Sequence, residues 1–441
     1  MNMKLPTVLL AATLLCCQLL HGEKLLDSRN KPVRYAGKFS EAPVWLPEYR
    51  PKTREFRGVW VATVENLDFA AHRDAASFKR DYLAIVNDLA KANCNAIIFQ
   101  IRPCGDAFYP SQLTSWSQFL AGADGVGIKG FDPLKFMVDE AHRRGLEFHA
   151  WMNPYRVIGH TPLAKEAYLR KLSKTNFARR HPELVLSIQQ PNRQNLLLLN
   201  PGEPAVVSHI AAVVREVVIR YDVDAIHFDD YFYPYEGMRA QDAAAYKRYG
   251  RGAKLDVWRR GNVTAAIKTV KKVLDTHYKI TRRKVRFGIS PFGIWANRSA
   301  LAAGSPTGGM QSYFRQYADT RLWIKCGYLD YVVPQLYWNF SHETAAYAAL
   351  ADWWSDTVRD TPVRLIIGHA VSRIGSGREW SAAELPNQLR FNCTRREIAG
   401  SALFSYRHVF RPDNQARRAG VSHVLKRFWT RKAKLPWAKG K

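Results

Sequence analysis

Cysteine is scarce in this chain: there are six in 441 residues, two of them, Cys16 and Cys17, in its apolar start. The other four, Cys94, Cys104, Cys326 and Cys393, make no CxxC pair and no Cys/His cluster, which argues against a structural zinc and against a disulfide scaffold. After Leu20 no apolar run is long enough to cross a bilayer. Acid is scarce too, with 38 Asp and Glu facing 66 Lys and Arg, a net charge of +28. The field of such a chain concentrates polyanions. Nucleic acid is a poor fit, because there is no zinc-finger spacing and no aromatic-basic RNP run. An acidic polymer or surface fits better. The bases are spread along the whole chain, as a general compositional bias would also arrange them. The one local excess is ten Lys and Arg against Asp413 between Arg411 and Lys441.

What is present begins with an export pattern. Lys4, the mostly apolar stretch Leu5 to Leu20 and the exit His21-Gly22-Glu23 read as a signal peptide over 1–22. The expected location is the periplasm, the outer membrane or the medium, with peripheral attachment to membrane or wall through the basic surface. Leu14-Leu15-Cys16 precedes Cys17 where lipid-anchor processing prefers small residues, so an anchor has weak support. Residues 23–53 hold Pro32, Pro43, Pro47 and Pro51 without lasting periodicity and read as a linker or wrapping arm.

From residue 54 the pattern becomes regular. Strands are expected at Phe56–Thr63, Asn95–Arg102, Glu147–Asn153, Asp224–Asp230, Val285–Pro291, Leu329–Tyr337, Val363–Gly368 and Ser401–Tyr406, with helical stretches between them. Near-continuous apolar strands separated by helices indicate a parallel sheet covered by helices. Eight such units fit an α/β fold, a (β/α)8 TIM barrel over 54–410, with a long insertion after the third strand and a basic tail over 411–441. A doubly wound open sheet is the alternative, but the turn Ala62-Thr63-Val64-Glu65 is not the Gly-rich phosphate turn it would carry.

In such a barrel the reacting groups lie at the C-terminal ends of the strands. Side chains alternate along a strand, and the polar ones share a phase: Gln100 with Arg102, His149 with Trp151 and Asn153, and His227 with Asp229. Ser290, Gln335, Tyr337 and Tyr406 lie near later strand ends. The fourth strand finishes in Asp229-Asp230, followed by Tyr231, Phe232, Tyr233 and Tyr235. Two carboxylates in an aromatic cleft suit glycoside hydrolysis, where one protonates the leaving oxygen and the other attacks carbon or activates water. Asp229 and Asp230 are the leading catalytic candidates and Asp106 the third, with Glu65, Asp68 and Glu236 within reach on neighbouring loops. Arg102 beside Asp229 would hold that carboxyl ionised. The candidate sugar-binding set is Gln100, Arg102, His149, Trp151, Asn153, His227, Tyr231, Ser290, Gln335, Tyr337 and Trp338. A metal hydrolase built on His149, His227 and His369 is the rival. The first strand lacks the His-x-His pair such a site would open with, and no metal or other cofactor is expected.

Several longer stretches, among them FRGVWVATVENLDF (56–69), IIFQIRPCGDAFYPS (97–111), EAHRRGLEFHAWMNPYR (140–156), DAIHFDDYFYPY (224–235) and DYVVPQLYW (330–338), resemble the glycosyl-hydrolase-like 10 family of bacterial exported proteins. The resemblance runs in order from about Phe56 to Tyr406. It implies a (β/α)8 glycoside hydrolase and maps the family's acidic motif onto Asp229 and Asp230, and its second-strand motif onto Gln100, Arg102 and Asp106. The family includes a division-associated enzyme that cuts peptidoglycan glycan strands lacking stem peptides, which implies a polysaccharide partner in the cell wall. Phe69-Ala70 stands where members commonly have Trp-Pro, a departure that would alter a subsite. Two alternatives stay open: a barrel that binds wall glycan without cutting it, and a hydrolase of a host or dietary polysaccharide.

Overall fold

The computed structural model of the chain describes residues 22–438, so the signal-peptide reading falls outside the described residues except for Gly22. Eight parallel strands form β1 (Phe56–Val61), β2 (Ala96–Arg102), β3 (Glu147–Met152), β4 (Ala225–Phe228), β5 (Arg286–Ile289), β6 (Tyr331–Val332 and Gln335–Leu336), β7 (Arg364–Ala370) and β8 (Ile398–Phe404). Each pairs with the next in parallel, and β8 pairs with β1 to close the barrel. The main helices are α1 (Ala75–Lys91), α2 (Pro133–Arg143), α3 (Pro204–Arg220), α4 (Leu255–Thr281), α5 (Thr320–Lys325), α6 (Tyr347–Val358), α7 (Glu384–Asn392) and α8 (Gln415–His423). All eight expected strands are present. The sixth is split because Pro334 has no N–H for the ladder.

The strands are buried on both faces, which explains their apolar runs. Phe56, Trp60, Ile98, Trp151, Tyr331 and Val333 pack together inside the barrel, whereas Ile97, Phe99, Phe148, Ile226 and Phe228 belong to the larger core under the helices. The insertion after β3 is ordered as a three-stranded antiparallel sheet, with Asn195–Leu199 between Arg156–Thr161 and Val185–Gln189. The arm over 23–53 buries Val33, Val44 and Leu46, and Arg390 of α7 donates to the Pro47 carbonyl at 2.8 Å.

The basic C-terminal stretch supplies structure. It contributes α8, buries Val424 and Trp429, and runs back beside the start of β1, where Glu55 N–H donates to Lys434 O at 2.8 Å. Trp437 then sits across the N-terminal end of the barrel. Its indole N–H donates to Glu147 at 2.9 Å, and its ring faces Phe56, His149 and Tyr331 at 5.8, 6.2 and 5.8 Å. The Arg286 guanidinium lies over the Trp437 ring itself, 4.4 Å from its centroid. The stretch expected as a basic tail is thus packed through two tryptophans, Trp429 and Trp437, spaced among the bases. Trp437→Ala should therefore cost roughly 2–4 kcal/mol in urea unfolding, more than a typical surface change, because it uncovers the barrel floor.

Candidate active site

β4 ends at Phe228, so Asp229 and Asp230 open the loop at the C-terminal mouth. Asp229 stays in the inward phase. Its Oδ2 accepts from Asn153 Nδ2 at 2.9 Å and from Trp151 Nε1 at 3.3 Å, and its Oδ1 accepts from Tyr231 N–H at 3.4 Å. Only 4% of the residue is exposed. Burial pushes its carboxyl up to about 7, with the nearby Arg156 charge opposing and Asp230 reinforcing the shift. Asp230 is buried as well. Its Oδ2 accepts from the Tyr235 hydroxyl, its backbone carbonyl accepts from Gln316, and its Oδ1 has no hydrogen-bond partner. Burial raises the Asp230 carboxyl, opposed by Tyr235 and by the amides of Gln316 and Gln335.

Above the two acids, the Arg156 guanidinium lies 4.1 Å from the Tyr231 ring centroid. Burial works against the Arg156 charge, but Tyr231 and Asp229 raise its pKa overall. These two residues and Tyr235 form the inner side of a cleft of about 570 Å³. Glu65 on the loop after β1 and Glu236 on the loop after β4 line it, and the insertion sheet adds His160, Gln190, Asn192 and Gln194. Glu65 holds a left-handed backbone (φ 54°), which is uncommon for a non-glycine residue and clusters at functional loops.

Of the expected residues, the structure gathers Asp229, Asp230, Trp151, Asn153 and Tyr231 at the mouth. Gln335 donates to Ser290 O at 2.9 Å beside them, and burial, reinforced by the nearby Asp230, Tyr231 and Asp229, pushes the Tyr337 hydroxyl well above its usual pKa. Trp338 packs edge-on against Phe292 at 5.3 Å on the rim. Ser290 and His227 form the layer beneath, with His227 Nε2 3.0 Å from Ser290 Oγ and burial holding the imidazole far below its usual pKa.

Others take different places. Arg102 does not accompany Asp229: a register irregularity between Gln100 and Arg102 reverses its phase, so it turns outward to the Asp106 carbonyl at 3.2 Å and to His209 of α3 at 3.2 Å. The charge beside Asp229 is Arg156, and burial outweighs it, so Asp229 is not the strongly ionised acid expected. Asp106 accepts from Cys104 N–H at 2.8 Å and is buried within its own loop. Gln100 receives the N–H groups of Thr63 and Val64 at 3.0 and 2.9 Å and so shapes the loop that carries Glu65. His149 lies on the barrel floor, 3.1 Å from Glu147, away from the mouth. His369 faces Gln388 of α7 at 2.7 Å, so it does not converge with His149 and His227, and no three potential metal ligands cluster among the described residues. Asp68 is held by Ala62 N–H, Ser405 Oγ and Arg407 N–H. Tyr406 bonds Asp88 on α1 at 2.8 Å. Phe69 is buried against Phe78 and Phe99, so the aromatic half of the Phe69-Ala70 departure falls in the core, while Ala70 is exposed. Arg156 and Gln316 were missed. The first had a signal, a lone cation three residues beyond Asn153; the second lies on an irregular turn with none.

Comparison with known proteins agrees with this geometry. A statistical description of the family glycosyl hydrolase-like 10 matches residues 55–383. The chain belongs to this family. It is 42% identical over 367 residues to the glycosyl hydrolase YngK of Bacillus subtilis, covering 81% of this chain and 69% of that one. It is 35% identical over 450 residues to the glycosyl hydrolase DigH of Escherichia coli K12, covering 97% and 98%. Among solved structures, the glycoside hydrolase domain of PgaB (BpsB) from Bordetella bronchiseptica superposes with a TM-score of 0.50 at 13% identity, over 79% of this chain and 93% of that one, a likeness of fold.

As a member of this glycosyl hydrolase-like 10 family the chain is a glycoside hydrolase, and its two buried acids are chemically unequal. Asp229 is gripped by two fixed donors and still retains a proton near neutrality; Asp230 has one oxygen held by a hydroxyl and one left open. The retained proton has a stability signature. An aspartate unfolds to its ordinary value of 3.8 but folds at about 7, so between those pH values the folded state holds the extra proton and stability falls as pH rises. Asp229→Asn should remove that slope. Its stability relative to the parent should be unchanged below pH about 4, improve through the interval, and level off above about 7 at a gain of order a few kcal/mol. Urea midpoints measured across that range check it.

Proposed function

We propose that the protein is exported and cleaves the glycan strands of peptidoglycan, with Asp229 as proton donor and Asp230 as the partner carboxylate. The observation that carries the reading is the Asp229 carboxyl, buried at the barrel mouth against Trp151 and Asn153 and raised to about 7 directly beside a second acid. An acid of that kind can protonate a glycosidic oxygen at neutral pH. Asp230 Oδ1, buried without a partner, is placed to take a substrate hydroxyl or to face the reacting carbon or a water.

Three features favour a wall glycan. The cleft wall offers the amides of Gln190, Asn192 and Gln194, which suit acetamido and hydroxyl groups. Tyr231 and Tyr235 supply sugar-stacking faces at its inner side. The net charge of +28 draws an anionic polymer, and the apolar N-terminal stretch after Lys4 would route the chain out of the cytoplasm.

Incubation with purified sacculi should release new reducing ends, most from strands stripped of stem peptides. Asp229→Asn should lower the rate by roughly a thousandfold while sacculus binding persists. The parent rate should fall as pH rises through about 7, where the donor loses its proton. Sacculi left intact while another polysaccharide is cut would remove the peptidoglycan reading, and an unchanged rate in Asp229→Asn would remove its assigned role.

A further inference from the structure

A second concave surface lies on the outside of the barrel, between the last turns of α3 and α4. It encloses about 560 Å³ and is lined by Val218, Ile219, Val273, Thr276, His277 and Ile280. Ile219 is 62% exposed and Ile280 78%, values that a folded chain seldom leaves on large aliphatic side chains near one another. His277 is buried at its wall with Nε2 lacking any partner. Around this groove the charge has one sign. Arg215 and Lys272 line it, Lys279 adjoins Ile280, and Arg282 ends the helix; none of the four has a carboxylate partner among the described residues. The neighbouring acids are already paired, Glu216 with Arg220, Asp222 with Arg283 and Asp275 with Lys271.

An apolar groove ringed by unpaired cations matches an anionic amphiphilic surface, where aliphatic side chains enter the acyl boundary and cations meet the headgroups. A polyanion without an apolar part would leave Ile219 and Ile280 uncovered. A protein partner could cover them, but the unpaired cations favour a surface dense in negative charge. We propose that the last turns of α3 and α4 form a docking surface for an anionic phospholipid bilayer.

The placement has a geometric consequence. Both helices run toward the N-terminal ends of the strands they precede, so their last turns lie at the end of the barrel opposite the loops carrying Asp229 and Asp230. A chain resting on a bilayer through this surface holds its cleft away from the lipid. That orientation would suit a polymer lying beyond the membrane, as the glycan reading requires; the docking itself does not depend on that reading.

Vesicle sedimentation tests the surface. A form of the chain beginning at Gly22 retains every barrel element described here and removes the apolar start from the assay. It should bind vesicles of phosphatidylglycerol and phosphatidylethanolamine, at least tenfold better than phosphatidylcholine vesicles, and lose that binding as salt rises. The double variant Ile219→Glu/Ile280→Glu, at exposed positions, and separately Lys272→Glu/Lys279→Glu, should each reduce binding at least tenfold with the urea midpoint unchanged. Equal binding by parent and Ile219→Glu/Ile280→Glu would overturn the proposal. So would absence of vesicle binding together with a dimer in sedimentation velocity that the same substitutions disperse, which would give the groove to a second copy. Sugar release from sacculi is read separately, so failure of docking leaves the glycan reading standing.

Discussion

Tyr331 carries its hydroxyl into the barrel interior, 2.8 Å from His149 Nδ1 and 3.1 Å from His227 Nδ1. The partners at either end order the protons along this chain. His149 Nε2 donates to Glu147, so its Nδ1 accepts the Tyr331 O–H. The Tyr331 oxygen then accepts His227 Nδ1–H, and His227 Nε2 is left to accept from Ser290 and from Trp60. Each side chain of this column, from Glu147 through His149, Tyr331 and His227 to Ser290, thereby has its partner without a net charge on His227. The arrangement needs space as well as partners. Gly288 lies on β5 where a Cβ would overlap the Tyr331 ring, so glycine there is a packing requirement and not a matter of backbone freedom.

This column engages both histidines in the barrel interior, beneath the acids. With His227 neutral beneath, nothing below Asp229 compensates an aspartate charge, and the Coulomb relief comes from one side only, through Arg156. One partly opposed cation does not offset full desolvation, which is why the carboxyl keeps its proton near neutrality. Trp151 and Asn153 fix the orientation of Oδ2 from β3 and the loop after it, and Trp151 at the same time packs against the interior rings. The acid sits in the first position beyond β4, anchored by a side chain of β3 and one just past it, while the groups that would meet a glycan, Tyr231, Tyr235, Glu65 and the insertion amides, lie further out on loops. Rigid chemistry beneath an adaptable cleft is the usual division of labour in this fold.

The barrel was readable because both faces of its strands are buried, one in side chains of the interior and one beneath helices, so the strands appear as apolar runs bounded by polar ends. Phase then identified Trp151, Asn153, His227 and Asp229 as one inward set, and these four do share the interior. Phase failed at Arg102, where an irregularity in β2 reversed it; a single-residue slip has no mark in the amino-acid pattern. Phase also says nothing of depth, and His149, two residues below Trp151, ends on the floor with Glu147 and Trp437. The residues missed at the mouth come from irregular segments. Arg156 starts the insertion sheet and Gln316 follows a single helical turn, and their positions depend on tertiary packing that no local period encodes.

The excess of base and the placement of acid belong to one electrostatic problem. An ionised pair at Asp229 and Asp230 would repel an anionic polymer of the kind proposed as substrate, at the site proposed to cut it. Burial resolves the conflict, because a carboxyl desolvated at the mouth is neutral until something displaces its proton, and the nearest fixed charge in the cleft is the cation of Arg156. Arg156 also stacks on Tyr231, so the same side chain joins the field that would gather a polyanion, the ring that would stack on a sugar and the acid that would cut it. Burial at the end of β4 thus sets the charge of both acids there, raising each carboxyl above its ordinary value.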